Sequence, residues 1–331
     1  MDELFNARVL TAAINKIKSV RTIIADKVFG AKQFLYSGLF QWDVVSGSER
    51  ILQNLRPMQE AQIVSATGKS TITCKGTRFS EKRLVLASDL ADMRKYGEQA
   101  ATELLGEKLN RELLDMKTKV DRTREFMAAR ALAGQVVDDA GTVLVDYNFG
   151  VAQKPTLAGK NLWTDSESNP IKNIRAWKKI ITQAIGAVDG FFAFAGSSAM
   201  DALLENQKVL DLMKNQVGQQ IAEKGRITYL AECEIEEILG SYLDNSNVRK
   251  DFIPAEYFVL VGVSAQAAGE LYAPAIDFDD PNGVGSGKPA GMFFTKSWKS
   301  EDPSGRWVKV EARPLPVLYK PEAIVYAKVV A

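Results

Sequence analysis

The chain has 331 residues, enough to bury a sizeable core as one large domain or two. Apolar residues make up 46% and charged residues 25%, the balance of a folded globular protein, and a formal charge of +1 gives no global field for nucleic acid. With no histidine at all, a Ser-His-Asp triad, a Cys-His dyad and a histidine metal site are excluded.

Residues 1–35 scatter apolar residues among basic ones. Val9, Ala12, Ala13, Lys16, Ile17 and Val20 predict a short amphipathic helix. Such a segment cannot form its own core and is expected to lie on something else, as an arm. From about 48 to 85 the composition turns β-branched and polar, and "AQIVSATGKSTITCKGTRF" predicts a β-hairpin with Gly68 at its tip. The triplet Gly68-Lys69-Ser70 looks like the end of a phosphate loop, but Ile63 stands where that loop needs its first glycine. Ser70-Thr71-Ile72-Thr73 favours a strand where the loop needs a helix start, so no nucleotide site is expected.

A long helix is predicted from about Ser88 to Ala133. Leu109, Leu113, Met116, Val120, Thr123 and Met127 form its apolar stripe, while Glu107, Arg111, Asp115 and Lys119 alternate in sign on another face. A coiled-coil dimer would use such a stripe, but its shortness favours a helix laid along a sheet. Gly134 ends the helix, and a hairpin turning at Asp139-Ala140-Gly141 follows.

Asn169-Pro170 starts another helix, with Asn as cap and Pro at the first helical position. Ile171, Ile174, Trp177, Ile181 and Ile185 are its buried face and Gly186 its end. Next come a strand, a small turn and a helix. A nucleophile elbow at Ser197 or Ser198 lacks a histidine base, so Ser198 is expected to cap the helix with Asp201 three residues on. Two strands joined by a turn at 244–247 follow. The acids Asp277, Asp279 and Asp280 then gather with Asn282 in a glycine-rich loop. Pro281 breaks calcium-loop spacing, and a solvated turn is the default reading there. The chain closes on strands punctuated by Pro314, Pro316 and Pro321. Cys74 and Cys233 lie too far apart in sequence for a disulfide framework, and a reducing compartment is expected. No apolar run nears the roughly 18 residues of a membrane span, and "MDELFNARVL" lacks the organisation of a secretion signal.

This order of parts resembles the major capsid protein of tailed bacteriophages, the Hong Kong 97-type α+β fold, and more narrowly the lambda-like major capsid protein E family. Three stretches carry the likeness: "FFAFAGSSAMDAL", "EEILGSYLDNSNVRKDFIPAEYFVLVG" and "SWKSEDPSGRWVKVEARPLPVLYKPEAIVYAKV". The resemblance implies an N-terminal arm (1–47), an extension loop (48–85), a peripheral domain with a spine helix (86–165 and 311–331) and an axial domain (166–310). It also implies self-assembly into hexamers and pentamers of an icosahedral head enclosing double-stranded DNA. Assembly would occur in the bacterial host cytoplasm, with scaffolding, portal and decoration proteins as possible partners. No catalysis, cofactor, metal or membrane is expected. Candidate subunit-contact residues are Thr67, Gly68, Lys69 and Ser70 at the loop tip, and Trp298, Arg306 and Trp307 near the end, where buried core is an equal reading for both tryptophans. The alternatives are an encapsulin-type compartment shell of the same fold and an α/β enzyme using carboxylates around Asp277–Asp280.

Overall fold

In a computed structural model of the chain, the residues described are 5–17, 21–46, 68–75, 77–86, 88, 101–138, 140–213, 227–264, 267–280, 282 and 287–331. The chain opens with helices α1 (Ala7–Lys16) and α2 (Ile23–Val28) and strands β1 (Lys32–Phe34), β2 (Leu39–Ser46), β3 (Gly68–Lys75) and β4 (Phe79–Leu86). The long helix α3 (Ala101–Leu132) leads into β5 (Gln135–Val137) and β6 (Val143–Asp146), then α4 (Pro170–Ile185), β7 (Gly190–Ala195), α5 (Ser197–Glu205) and α6 (Gln207–Met213). Short strands β8 (Tyr229–Leu230), β9 (Cys233–Glu237), β10 (Ser241–Leu243) and β11 (Arg249–Asp251) precede β12 (Tyr257–Val263) and β13 (Ala268–Tyr272). The chain closes on β14 (Phe294–Ser300), β15 (Gly305–Ala312), β16 (Pro314–Leu318) and β17 (Ile324–Lys328).

Two compact units share these elements. One holds Met1–Gln41, Thr73–Ala128 and Gly269–Val317; the other holds Trp42–Ile72, Ala129–Ala268 and Leu318–Ala331.

In the first unit, β14, β15 and β4 form an antiparallel sheet, and α3 lies along it as its stripe predicts. Leu109, Leu113, Met116 and Val120 share an apolar cluster with Val85, Val308 and Val310 of the sheet. Leu113 and Met116 are fully buried, which stabilises the fold by about 1.5–3 kcal/mol apiece. Glu107, Arg111, Asp115 and Lys119 face solvent, so the helix packs on a sheet as expected.

The arm differs from expectation in one way. Its helix α1 buries Leu10 and Ile14, leaving Val9 exposed, so the true apolar face is turned one residue from the predicted one. The Asn6 side chain, accepting from Arg8 N–H at 2.9 Å, sets that start. As expected, α1 lies on another part of the chain: with Phe5 it joins the cluster of Leu109 and Val308, and Thr295 N–H donates to the Thr11 hydroxyl at 3.1 Å. The arm's β1 then runs parallel to β13 in a second sheet, of order β1-β13-β16.

The predicted hairpin within 48–85 is also built otherwise. Gly68 opens strand β3 instead of turning a hairpin, and among the described residues the partner of β3 is β2, a stretch the sequence assigned to the arm. Thr71 donates its hydroxyl to Asp43 across the pair at 2.7 Å. The two strands match because both alternate, with Phe40, Trp42 and Cys74 inward and Asp43, Thr71 and Thr73 outward. The expected first strand of the hairpin, 61–67, lies outside the described residues.

The second unit centres on a five-stranded sheet of order β17-β12-β7-β9-β8, with β7 and β9 parallel and the other pairs antiparallel. Helix α4 follows the sequence reading: the Asn169 carboxamide accepts from Lys172 N–H at 3.1 Å, Pro170 takes the first position, and Gly186 closes at φ 76°. Ile174, Trp177 and Ile181 pack onto Phe258 and Leu260, and Trp163, Trp177 and Phe258 form a ring cluster with centroids 5.0–6.2 Å apart. The cap of α5 is Gly196, not Ser198. A Cβ at 196 would stand 2.3 Å from the Pro254 carbonyl oxygen, so this close backbone crossing admits only glycine. The turns at Gly141 and at 244–247 fall where predicted, between β5 and β6 and between β10 and β11.

Candidate assembly surfaces

Of the loop-tip candidates, Thr67 lies outside the described residues, Gly68 and Lys69 begin β3, and Ser70 is exposed on that strand. A strand at 68–75 rules out the helix start that a phosphate loop requires.

The C-terminal candidates lie on the β14-β15-β4 sheet. Trp298 and Trp307 are directly opposite one another and stacked, with ring centroids 6.3 Å apart, and Leu84 continues the row on β4. Trp298 is 36% exposed, so the tryptophans are a surface pair and not buried core. Arg306 points to the other face of the strand, its guanidinium 4.3 Å from the Phe5 ring centroid, where it packs beside the arm. Beside the tryptophan row stands a row of lysines, Lys296, Lys309 and Lys82, in register across three strands. Like charges directly opposite repel. Asp277 answers two of them, at 3.1 Å from Lys296 and 3.3 Å from Lys309, and Glu311 takes Lys309 at 2.7 Å and Arg78 at 3.0 Å. Lys82 sits over the Trp307 ring at 4.8 Å.

Burial works to raise the Asp277 carboxyl. The Asp279 N–H and the two ammonium groups outweigh it and hold Asp277 below the usual carboxylate range. Glu311 is likewise held low, burial being overcome by Arg78 and Lys309. Asp280 moves the other way, raised by burial, and borders a cavity of about 10 Å³ with Glu311 and Arg313. That volume accommodates one water and no substrate. Of the carboxylates singled out in the sequence, Asp277 and Asp279 are thus ion-pair partners and Asp280 lines this small cavity. Among the described residues there is no group of three or more acidic or cysteine side chains placed to hold a metal. Nor, among them, is any helix long and apolar enough to cross a membrane.

Helix α3 carries a further set of residues that its sequence presents as surface charges. Lys117 is buried and donates to the carbonyl oxygens of Ile14 at 3.0 Å and Ile17 at 2.7 Å, at the end of α1. Two turns on, the buried Glu125 accepts from Ile24 N–H at 2.8 Å and Ala25 N–H at 2.9 Å, at the start of α2. Each charge complements the helix end that it meets. Burial lowers the Lys117 ammonium and raises the Glu125 carboxyl, the latter in part offset by those two N–H donors. Between them, Arg124 makes a bidentate pair with Glu270 at 2.8 and 2.7 Å and a third bond to Asp121 at 3.0 Å. The one sequence signal for this group is its departure from the four-residue charge alternation that ends at Lys119.

The chain matches the sequence profile of the family described as phage major capsid protein E over residues 6–329. Among solved structures it is similar to the putative capsid protein of a prophage of E. coli CFT073, at 17% identity and a TM-score of 0.65, covering 98% of this chain and 99% of that one. A phage-related protein from Bordetella bronchiseptica RB50 matches at 13% identity and a TM-score of 0.57, covering 97% and 96%. The mature capsid of bacteriophage PhiM1 matches at 11% and 0.52, covering 90% and 84%. No curated sequence matches significantly. The fold is the Hong Kong 97-type fold of phage capsid proteins, and with residues 6–329 matched, the chain belongs to the phage major capsid protein E family.

Proposed function

We propose that copies of this capsid protein assemble into the hexamers and pentamers of a closed icosahedral head around double-stranded DNA, within the host cytoplasm and without catalysis. The observation that carries this reading is the β2–β3 ribbon. Among the described residues it has two strands, with Asp43, Ser70, Thr71 and Thr73 exposed along them. Two-stranded ribbons are marginal alone, and their open edges serve for joining a neighbour. Weak contacts of this kind sum to a durable particle when each copy makes several.

We assign the axial role to the unit built on the five-stranded sheet and the peripheral role to the unit built on α3. This assignment moves β14 and β15 to the peripheral domain and β17 to the axial domain. The Trp298–Trp307 pair serves as a contact between copies, and the β2–β3 ribbon as the extension loop. Scaffolding, portal and decoration proteins are the partners of such a shell. Electron microscopy of the purified protein, alone and with candidate scaffold, tests the reading: closed shells, tubes or rings are expected. A compact monomer at every concentration, with β2 and β3 protected from protease, overturns it. Trp298→Ala is expected to fold like the parent but lower particle yield; unchanged yield removes Trp298 from the contact set.

A further inference from the structure

Helix α4 contains four cations and no acid. Lys178 is used within the chain, donating to the Ala231 carbonyl oxygen at 3.0 Å and pairing with Glu232 at 3.2 Å. Lys172, Arg175 and Lys179 are exposed on one face at spacings of three and four, and none of their side chains has an ion pair or hydrogen bond among the described residues. Like charges so spaced on a helix destabilise it. The chain carries that cost with no ion pair among the described residues to offset it.

Helix α5 is the reverse. It contains Asp201 and Glu205 and no cation, and both acids are exposed without an ion pair among the described residues. Both helices pack into the one apolar cluster around Phe258 and Leu260, so they cover the same face of the five-stranded sheet. Their charges nevertheless do not meet within the chain. The spacings agree: Arg175 to Lys179 and Asp201 to Glu205 are each one four-residue step, about 6 Å of helix rise. The exposed Ala176 beside the cations leaves room for a second helix to approach.

We propose that the cationic ridge Lys172–Arg175–Lys179 docks on the anionic pair Asp201–Glu205 of a neighbouring copy, a head-to-tail contact that repeats around a ring. The contact rests on the shell reading above and gives it a specific interface. Two different patches of one surface meeting in succession generate closed rings when the rotation closes. Charges placed so act mainly by selecting partner and register and by speeding encounter.

Charge exchange on the full chain tests it. Lys172→Glu with Arg175→Glu and Lys179→Glu, and separately Asp201→Lys with Glu205→Lys, are each expected to leave the melting temperature near that of the parent. Each is expected to cut particle yield about tenfold or more, because like charges then face one another. Combining both sets restores opposite charges and is expected to recover most of the yield. In a parent background, Arg175→Cys with Glu205→Cys is expected to give an oxidised ladder beyond dimer, since each copy offers both halves of the contact. Charge-exchanged variants that assemble like the parent overturn the proposal, as does a folded combined variant that stays unassembled. An α4 variant that assembles normally but loses salt-dependent DNA affinity also overturns it, and assigns the ridge to phosphate. A ladder without particles from the parent leaves the contact standing and removes the shell reading. Particles without a ladder, tolerant of charge exchange, do the opposite.

Discussion

The two units bury different things. Under the five-stranded sheet the largest buried groups are rings, Trp163, Trp177 and Phe258, backed by Ile174, Ile181 and Leu260. The α3 unit adds a buried guanidinium with two carboxylates, an ammonium on two carbonyl groups and a carboxylate on two N–H groups. Apolar packing is non-directional and accepts many partners of suitable size, whereas a bidentate ion pair accepts one geometry. The α3 unit assembles from three separate stretches of chain, the last of them more than a hundred residues beyond the second, and in it Arg124 meets Glu270, 146 positions away. We attribute its buried charges to choosing among the many apolar ways in which those stretches could pack.

The largest effects break the two cores in different ways. Trp163→Ala and Arg124→Met are each expected to cost about 3–5 kcal/mol in urea unfolding, the first by leaving a cavity and the second by stranding Glu270 and Asp121. They separate on rescue. Adding Glu270→Leu and Asp121→Leu to Arg124→Met is expected to return most of the stability, since no buried charge is then unpaired, whereas no polar change repairs Trp163→Ala. Failure of that rescue removes the ionic account.

Gly196→Ala tests the backbone crossing in the five-stranded unit and is expected to cost about 1–3 kcal/mol by forcing apart the Pro254 and Ala255 carbonyl groups. Asn169→Ala, which removes only a cap, is expected to cost about 1 kcal/mol in the same assay. A parent-like midpoint in either variant contradicts the contact assigned to it.

The smallest effect at neutral pH is the dependence on acid, and it has two signs. Asp277 and Glu311 are held below their ordinary values, so their stabilisation is present above the ordinary carboxylate range and is lost as pH falls through their depressed values. Glu125, held above its ordinary value, opposes this, since its contribution falls as pH rises from the ordinary carboxylate range through its raised value. Thermal melts of Asp277→Asn are expected to show a shallower acid loss than the parent, and melts of Glu125→Gln a steeper gain on leaving acid. Identical profiles in all three chains contradict both assignments.

Much of the five-stranded unit was legible, because its signals are local. Asn169-Pro170 and Gly186 bracket α4, the aromatic and β-branched runs at 190–195 and 257–263 are strands, and 244–247 is a turn. The stripe and the alternating charges of α3 were equally readable. Strand partners were not. Alternation at 79–86 and 305–312 shows which side chains share a face but not that these two strands pair, nor that β3 takes β2. The buried charges were illegible for a related reason: Lys117, Asp121, Arg124 and Glu125 have the composition of a solvated helix face, and only long-range contacts turn them inward. On the candidate surfaces, Trp298 and Trp307 were identified and their pairing was not. The cationic ridge on α4 has the composition of an ordinary solvated helix face, and only the lack of ion-pair partners among the described residues sets it apart.

Both grips that α3 holds on the leading segment close on main-chain atoms: the carbonyl oxygens of Ile14 and Ile17 and the amides of Ile24 and Ala25. Main-chain atoms persist through mutation. The attachment therefore depends on the side chains of Lys117 and Glu125 and on where the two helix ends lie, not on which side chains stand at the gripped positions. In an engineered particle, redesign at those four positions leaves the grips in place so long as the two helix ends keep their places, while Ile14, Ile24 and Ala25 still have to fill the buried space that they occupy.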